Sequence, residues 1–147
     1  MDRIASLFYS QAMQELCNTP EVAGEPFYPV RMILDDFAAG CRVPDFDKII
    51  SVVRSRRLYI SIIIQSLSQL ESLYGKACAD TIINNCDTLL YLGGNDVSTA
   101  RYIGDRANRP VNVILSMPMT DTLLFQRGKQ PQRVMRFRLE NHRELQN

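Results

Sequence analysis

The chain has 147 residues, 46% of them hydrophobic, with 17 basic and 16 acidic side chains and a formal charge of +1. That is enough apolar material for one compact core, so a disordered chain is excluded, and the near-neutral balance argues against a protein that coats nucleic acid along its whole surface. The longest apolar stretch, Leu58 to Ile64, is interrupted by Ser61 and falls far short of the roughly 20 residues of a membrane-spanning helix.

In chain order, Ile4, Leu7, Phe8, Ala12 and Leu16 recur at helical spacing and predict an amphipathic helix over residues 4–17, stopped by Asn18-Thr19-Pro20. The start shows no signal-peptide pattern, so the mature chain is expected to begin near Met1 unless it was cut there. Gly24, Pro26 and Pro29 mark a loop from Glu21 to Pro29. Val30 to Leu34 follows as a short apolar run, a buried strand that ends in Asp35 and Asp36. Pro44-Asp45 opens a second helix, with Asp45 as its expected cap and Phe46, Ile49, Ile50 and Val53 on one face, closing in Arg54-Ser55-Arg56-Arg57. Leu58 to Ile64 is rich in β-branched residues and reads as a second buried strand, ending at Gln65.

Leu67, Leu70 and Tyr74 then mark a helix stopped by Gly75, and Ala77 to Asn85 adds a further turn or two. Thr88 to Leu92 is a third strand, broken by Gly93-Gly94 before a helix from about Val97 to Ile103. This alternation predicts an α/β fold with a mainly parallel sheet flanked by helices. Asp121 to Gln126 and Gln132 to Leu139, around Arg127-Gly128-Lys129-Gln130-Pro131, predict a C-terminal β-hairpin that extends or flanks that sheet.

Four cysteines, at 17, 41, 78 and 86, include no CxxC pair, and His142 is the single histidine, so a zinc site is not expected. The cysteines read as small buried hydrophobes in a reducing, cytosolic compartment. Charge is uneven: residues 1–50 hold 4 basic and 8 acidic side chains, residues 101–147 hold 9 and 4. The basic end reads as a solvated face or subunit contact, with a phosphate-backbone contact as the alternative.

Two strand ends carry candidate chemistry, because functional groups of parallel sheets gather beyond the carboxyl ends of strands. Met32-Ile33-Leu34-Asp35-Asp36 has the Walker B form, in which the first carboxylate holds a Mg²⁺ bridging nucleotide phosphates and the second polarises the attacking water. Two acids where a strand meets solvent also arise by chance. Gln65, at the end of the next strand, supplies a neutral donor and acceptor able to reach a γ-phosphate, or alternatively a sheet-end amide.

The run Val30-Arg31-Met32-Ile33-Leu34-Asp35-Asp36-Phe37-Ala38, Pro44-Asp45-Phe46, Arg54-Ser55-Arg56, Ile64-Gln65-Ser66-Leu67-Ser68-Gln69-Leu70, Tyr74-Gly75, Asn84-Asn85-Cys86-Asp87-Thr88 and Leu92-Gly93-Gly94 resembles TraG/TraD-type type IV coupling proteins, the ATPases of conjugative DNA transfer. Phe125 to Pro131 resembles that family's closing hairpin. The QSxSQL and YG elements are more specific than the Walker B pattern, and other RecA-like translocases would not predict them.

The resemblance implies that residues 1–147 are the C-terminal portion of a RecA-like P-loop ATPase domain, from Walker B onward. It implies Asp35 as the Mg²⁺ residue, Asp36 as the water-activating residue, Gln65 at the γ-phosphate, and Arg54 as an arginine acting across a subunit boundary; a solvated charge at a helix end is the other reading of Arg54. It further implies ATP and Mg²⁺ in the intact parent, a hexamer at the cytoplasmic face of the membrane, and single-stranded DNA, a relaxase and a type IV secretion channel as partners.

Two departures stand out. The family usually carries Glu where Asp36 stands, and no Gly-rich loop ending in Lys-Ser/Thr occurs in these residues, since Gly93-Gly94 has no lysine at the required spacing. Walker A and the membrane anchor are therefore expected upstream, no nucleotide is expected on the isolated fragment, and an exposed sheet edge favours self-association. The competing reading is a degenerate module that recruits relaxase or DNA without nucleotide.

Overall fold

The computed structural model describes residues 2–18, 28–137 and 142, so the expected loop from Glu21 lies almost wholly outside the described residues, as does Leu139. The chain divides into two compact units, Met1–Asn85 and Cys86–Asn147.

The first unit opens with α1 (Asp2–Asn18). Met13 of this helix is fully buried, while Ile4, Leu7 and Phe8 are exposed. Ser6 Oγ donates to the carbonyl of Arg42 (2.6 Å), tying the helix to the loop beyond the first strand. Strands β1 (Val30–Leu34) and β2 (Leu58–Ile62) pair in parallel, from Val30 opposite Leu58 to Leu34 opposite Ile62. Between them run α2 (Phe46–Val52) and a 3-10 turn, Val53–Arg56. After β2 come α3 (Leu67–Tyr74) and α4 (Lys76–Asn84), which share Gly75 at φ 80°, a value that favours glycine.

Leu34, Phe37, Val43, Phe46, Leu58, Leu70 and Tyr74 form part of the buried core. Phe37, Phe46 and Tyr74 pack as a triad, with ring centroids 4.5 Å apart for Phe37–Phe46 and 5.7 Å for Phe37–Tyr74. The Tyr74 hydroxyl oxygen accepts the Val43 N–H (3.0 Å), which satisfies a buried backbone donor.

The second unit is built on β3 (Thr88–Tyr91), β4 (Asp121–Gln126) and β5 (Gln132–Met135), all antiparallel, in the order β3-β4-β5. Helices α5 (Val97–Ala107) and α6 (Val111–Leu115) complete it. Tyr91, Ala100, Ile103, Ile114, Leu123 and Phe125 form its core. Asp96 caps α5 by accepting the Thr99 N–H (2.8 Å).

The expected hairpin is present, as β4 and β5, but the mainly parallel sheet is corrected. Among the described residues one strand pairing is parallel, β1 with β2, and two are antiparallel, β3 with the hairpin strand β4 and β4 with β5. Nor are the first two strands buried on both faces. Inward residues alternate with exposed ones, Arg31 and Ile33 (65%) in β1 and Tyr59 (53%) and Ser61 in β2, so each strand has one core face and one open face of mixed polarity. Asp45 stands at the expected cap position, its carbonyl accepting the Ile49 N–H (3.0 Å), but it adopts a left-handed conformation and makes no side-chain cap bond; its carboxylate pairs instead with Lys48 Nζ (2.7 Å).

Candidate functional site

The carboxyl ends of β1 and β2 form the site. Past Leu34 the parallel ladder continues: the Ile63 N–H donates to the Leu34 carbonyl (2.9 Å). Regular pairing would return the next bond to the Ile63 carbonyl from Asp36, but it comes from Phe37 (2.9 Å), so one extra residue is inserted in the first strand. Asp36 has φ 47°, a left-handed backbone that Asp and Asn tolerate better than most residues.

Both backbone groups of Asp36 are taken up locally. The Asp36 N–H donates to Asp35 Oδ1 (3.0 Å), and the Asp36 carbonyl accepts from the Ala39 N–H (2.8 Å). Leu34 and Phe37 are buried on either side, and both Asp35 and Asp36 are exposed. The bulge is thus a small platform that lifts two adjacent carboxylates out of the sheet, anchored beneath by the Phe37–Phe46–Tyr74 triad.

Gln65 stands in the short link between β2 and α3. Its Nε2 donates to Asp36 Oδ1 (3.3 Å), and its Oε1 accepts from Gln69 Nε2 (3.3 Å). Ser66 caps α3, its Oγ accepting the Gln69 N–H (3.2 Å), which fixes where the helix starts relative to Gln65.

The structure therefore brings Asp35, Asp36 and Gln65 together and sets Arg54 apart. Arg54 lies in the 3-10 turn that enters β2, at the opposite end of the strand pair, a separation of roughly 13 Å or more at 3.3 Å per residue. Gln69 belongs to this cluster although its residue type alone gave it no chemical role; its signal was the Ser-x-x-Gln spacing of Ser66 and Gln69.

Among the described residues no three His, Cys, Asp or Glu side chains cluster as a metal cage. Mg²⁺ in nucleotide sites takes one or two carboxylates, with waters and phosphates completing its shell, so the exposed pair at 35 and 36 fits that ion without a cage. All four cysteines are half-buried and outside any disulfide, and burial pushes the Cys17 and Cys86 thiols up, against a role as reactive thiolates. No described helix is long and apolar enough to cross a membrane.

A carboxylate pair beyond parallel strands, with a polar amide beside it, can hold a hydrated divalent cation and hydrogen-bond a neighbouring oxygen. A family profile described as "TraM recognition site of TraD and TraG" matches residues 29–108, more than half of the chain, and the chain belongs to this TraG/TraD coupling-protein family. Comparison with curated protein sequences finds no match.

Among solved structures the chain is similar to the bacterial conjugative coupling protein TrwBdeltaN70 in an unbound monoclinic form (18% identity, TM-score 0.78). It is similar to plasmid coupling protein TrwB in complex with ADP and Mg²⁺ (18%, 0.78) and with the non-hydrolysable GTP analogue GDPNP (20%, 0.76). Each match covers 91% of this chain and 36% of the TrwB chain, so these residues span about a third of the solved relatives. At such identities the likeness defines the fold.

Proposed function

We propose that these residues form the metal and γ-phosphate side of the nucleotide site in a conjugative coupling ATPase. The reading rests on one observation above the others: the bulge that presents Asp35 and Asp36 together, with Gln65 hydrogen-bonded to Asp36 from the link that follows the adjacent strand. Mg²⁺ bound with ATP would neutralise charge on the phosphates. Asp35, on the strand side of the bulge, would hold the ion directly or through water. Asp36 is the general base for the attacking water, and Gln65, an amide that can donate or accept, reports the γ-phosphate to α3. Arg54, at the far end of the strands, addresses a neighbouring subunit's site rather than this one, which suits an arginine finger in a ring.

The phosphate-binding loop comes from outside these residues, as their 36% share of the TrwB chain allows. In the whole protein, hydrolysis moves relaxase-bound single-stranded DNA into a type IV channel, with the protein assembled as a hexamer at the cytoplasmic membrane face. The family's description adds a TraM-type protein as a docking partner. The lack of any Gly-rich Lys-Ser/Thr loop in the sequence favours a second reading, a module that recruits relaxase or DNA without nucleotide.

Asp35→Ala in the full-length protein separates the two. The ATPase reading predicts loss of both Mg²⁺-dependent hydrolysis and conjugative transfer. Transfer at the parental frequency without hydrolysis would establish the nucleotide-independent module.

A further inference from the structure

We propose that Gln69 is a positioning residue that holds the Gln65 amide fixed with its NH₂ end on Asp36; its consequence for hydrolysis rests on the γ-phosphate reading of Gln65 given above. Ser66 and Gln69 have the spacing of a capping box, in which the third helical residue's side chain reaches back to the N–H of the cap. Half of the box is present: Ser66 Oγ accepts the Gln69 N–H (3.2 Å). The Gln69 side chain does something else. Its Nε2 donates to Gln65 Oε1 (3.3 Å), and its own Oε1 is buried without a hydrogen-bond partner. Leaving a buried acceptor unsatisfied is unfavourable, so this orientation is not the one that capping alone would select.

What the orientation achieves is a directed chain of amides. Gln65 is exposed, and an exposed amide can turn over, exchanging its donor and acceptor ends. With Gln69 donating to Oε1, only the NH₂ end is left to face Asp36, which it meets at 3.3 Å. Without that donor the exposed amide is held at one end alone, by its 3.3 Å bond to the Asp36 carboxylate, and loses its fixed position. Gln69 thereby keeps Asp36 hydrogen-bonded and holds a donor toward the space above the carboxylates. Because Gln69 is in the first turn of α3, a change in Gln65 when it meets a phosphate reaches that helix through a single hydrogen bond.

The test uses Gln69→Leu and Gln69→Glu. Both remove the donor, and both keep the backbone N–H that Ser66 accepts. A carboxylate in the first turn of a helix also favours the helix dipole, so Gln69→Glu preserves or strengthens capping. If Gln69 only caps, Gln69→Glu behaves as the parent. Positioning predicts instead that, in the ¹⁵N-labelled 147-residue chain, the Gln65 side-chain amide order parameter drops in both variants, from about 0.8 to below about 0.6, with the backbone order parameters of α3 unchanged.

In the full-length protein both variants should lower single-turnover ATP hydrolysis roughly five- to tenfold, the scale of one hydrogen bond, with nucleotide affinity unchanged. An unaltered Gln65 amide in Gln69→Glu overturns the positioning role whatever the activity. A disordered Gln65 amide, combined with full hydrolysis by Gln65→Leu, upholds the positioning and overturns the γ-phosphate reading instead.

Discussion

At Asp36 the backbone and the chemistry make the same demand. The inserted residue must adopt φ 47° and must present a short side chain beside Gln65, and aspartate meets both conditions. The family's usual glutamate at this position has a longer reach but less tolerance of a left-handed backbone. Asp36→Gly should therefore leave stability unchanged or slightly raised, whereas Asp36→Val should lower it by about 1–2 kcal/mol, both read from urea midpoints of the isolated chain. Equal stability of the two variants would mean that the bulge is not populated.

Tyr74 gives a second handle on the same platform. Burial pushes its hydroxyl up to about 12, against a lowering from its hydrogen bond to Val43 and from the nearby Arg42 guanidinium. Since the folded value lies above that of an unfolded tyrosine, near 10, the unfolded state loses its proton first. The stabilisation is complete below about pH 10 and is lost as pH rises toward 12. Urea midpoints measured between pH 8 and 12 should fall more steeply for the parent than for Tyr74→Phe, which cannot ionise there. At neutral pH that variant should lose about 1–3 kcal/mol, because the Val43 N–H is left without its acceptor.

Among the elements, helices α3 and α5 show how far local rules carry. Ser66 and Asp96 each accept the N–H of the third residue along, and Ser66→Ala should cost about 1 kcal/mol of unfolding free energy. Gly104 works through packing rather than through a turn: a Cβ there would meet the Arg109 carbonyl oxygen at 2.7 Å. Alanine is ordinarily the better helix former by about 1 kcal/mol, but a backbone carbonyl cannot move aside as a flexible side chain can. Gly104→Ala is expected to destabilise by about 1–3 kcal/mol in thermal or urea unfolding, and a stabilised variant would show that α5 and the Arg109 turn shift apart freely.

The same elements show what was legible in the sequence. Apolar periodicity located the five strands seen among the described residues and the longer helices, because period and turn residues are local properties. It could not choose partners for β3, whose apolar pattern suits a parallel neighbour as well as the antiparallel β4 it takes. It also passed over α6, whose signal is Pro110 standing at the cap of a five-residue helix. At the site, strand-end position and residue type indicated Asp35, Asp36 and Gln65. The inserted residue was not legible, since it depends on which N–H returns to Ile63. Simple strand alternation would assign the two carboxylates to opposite faces, whereas the ladder's alternation stops at Leu34 and both are exposed beyond it.

On the scale of the whole molecule, each unit has its own core, and the chemistry proposed for the site lies within the first. In the proposed reading this unit offers carboxylates and amides to a metal–phosphate complex, and the sequence holds no glycine-rich loop to supply the phosphate-binding N–H groups and lysine. The isolated 147-residue chain should accordingly show no tight ATP binding by calorimetry, with or without Mg²⁺; strong binding would mean that a second phosphate site exists within these residues. The central claim, that the bulge carries the base of a hydrolytic site, is tested most directly by single-turnover ATP hydrolysis of Asp36→Asn in the full-length protein. Asparagine suits the same left-handed backbone and retains an acceptor for Gln65, so the fold is kept while the base is lost. The predicted result is nucleotide affinity within error of the parent and a chemical step slowed by about 10²-fold or more. Turnover equal to the parent's would contradict the account and leave Asp36 as a residue that shapes the bulge without acting on water.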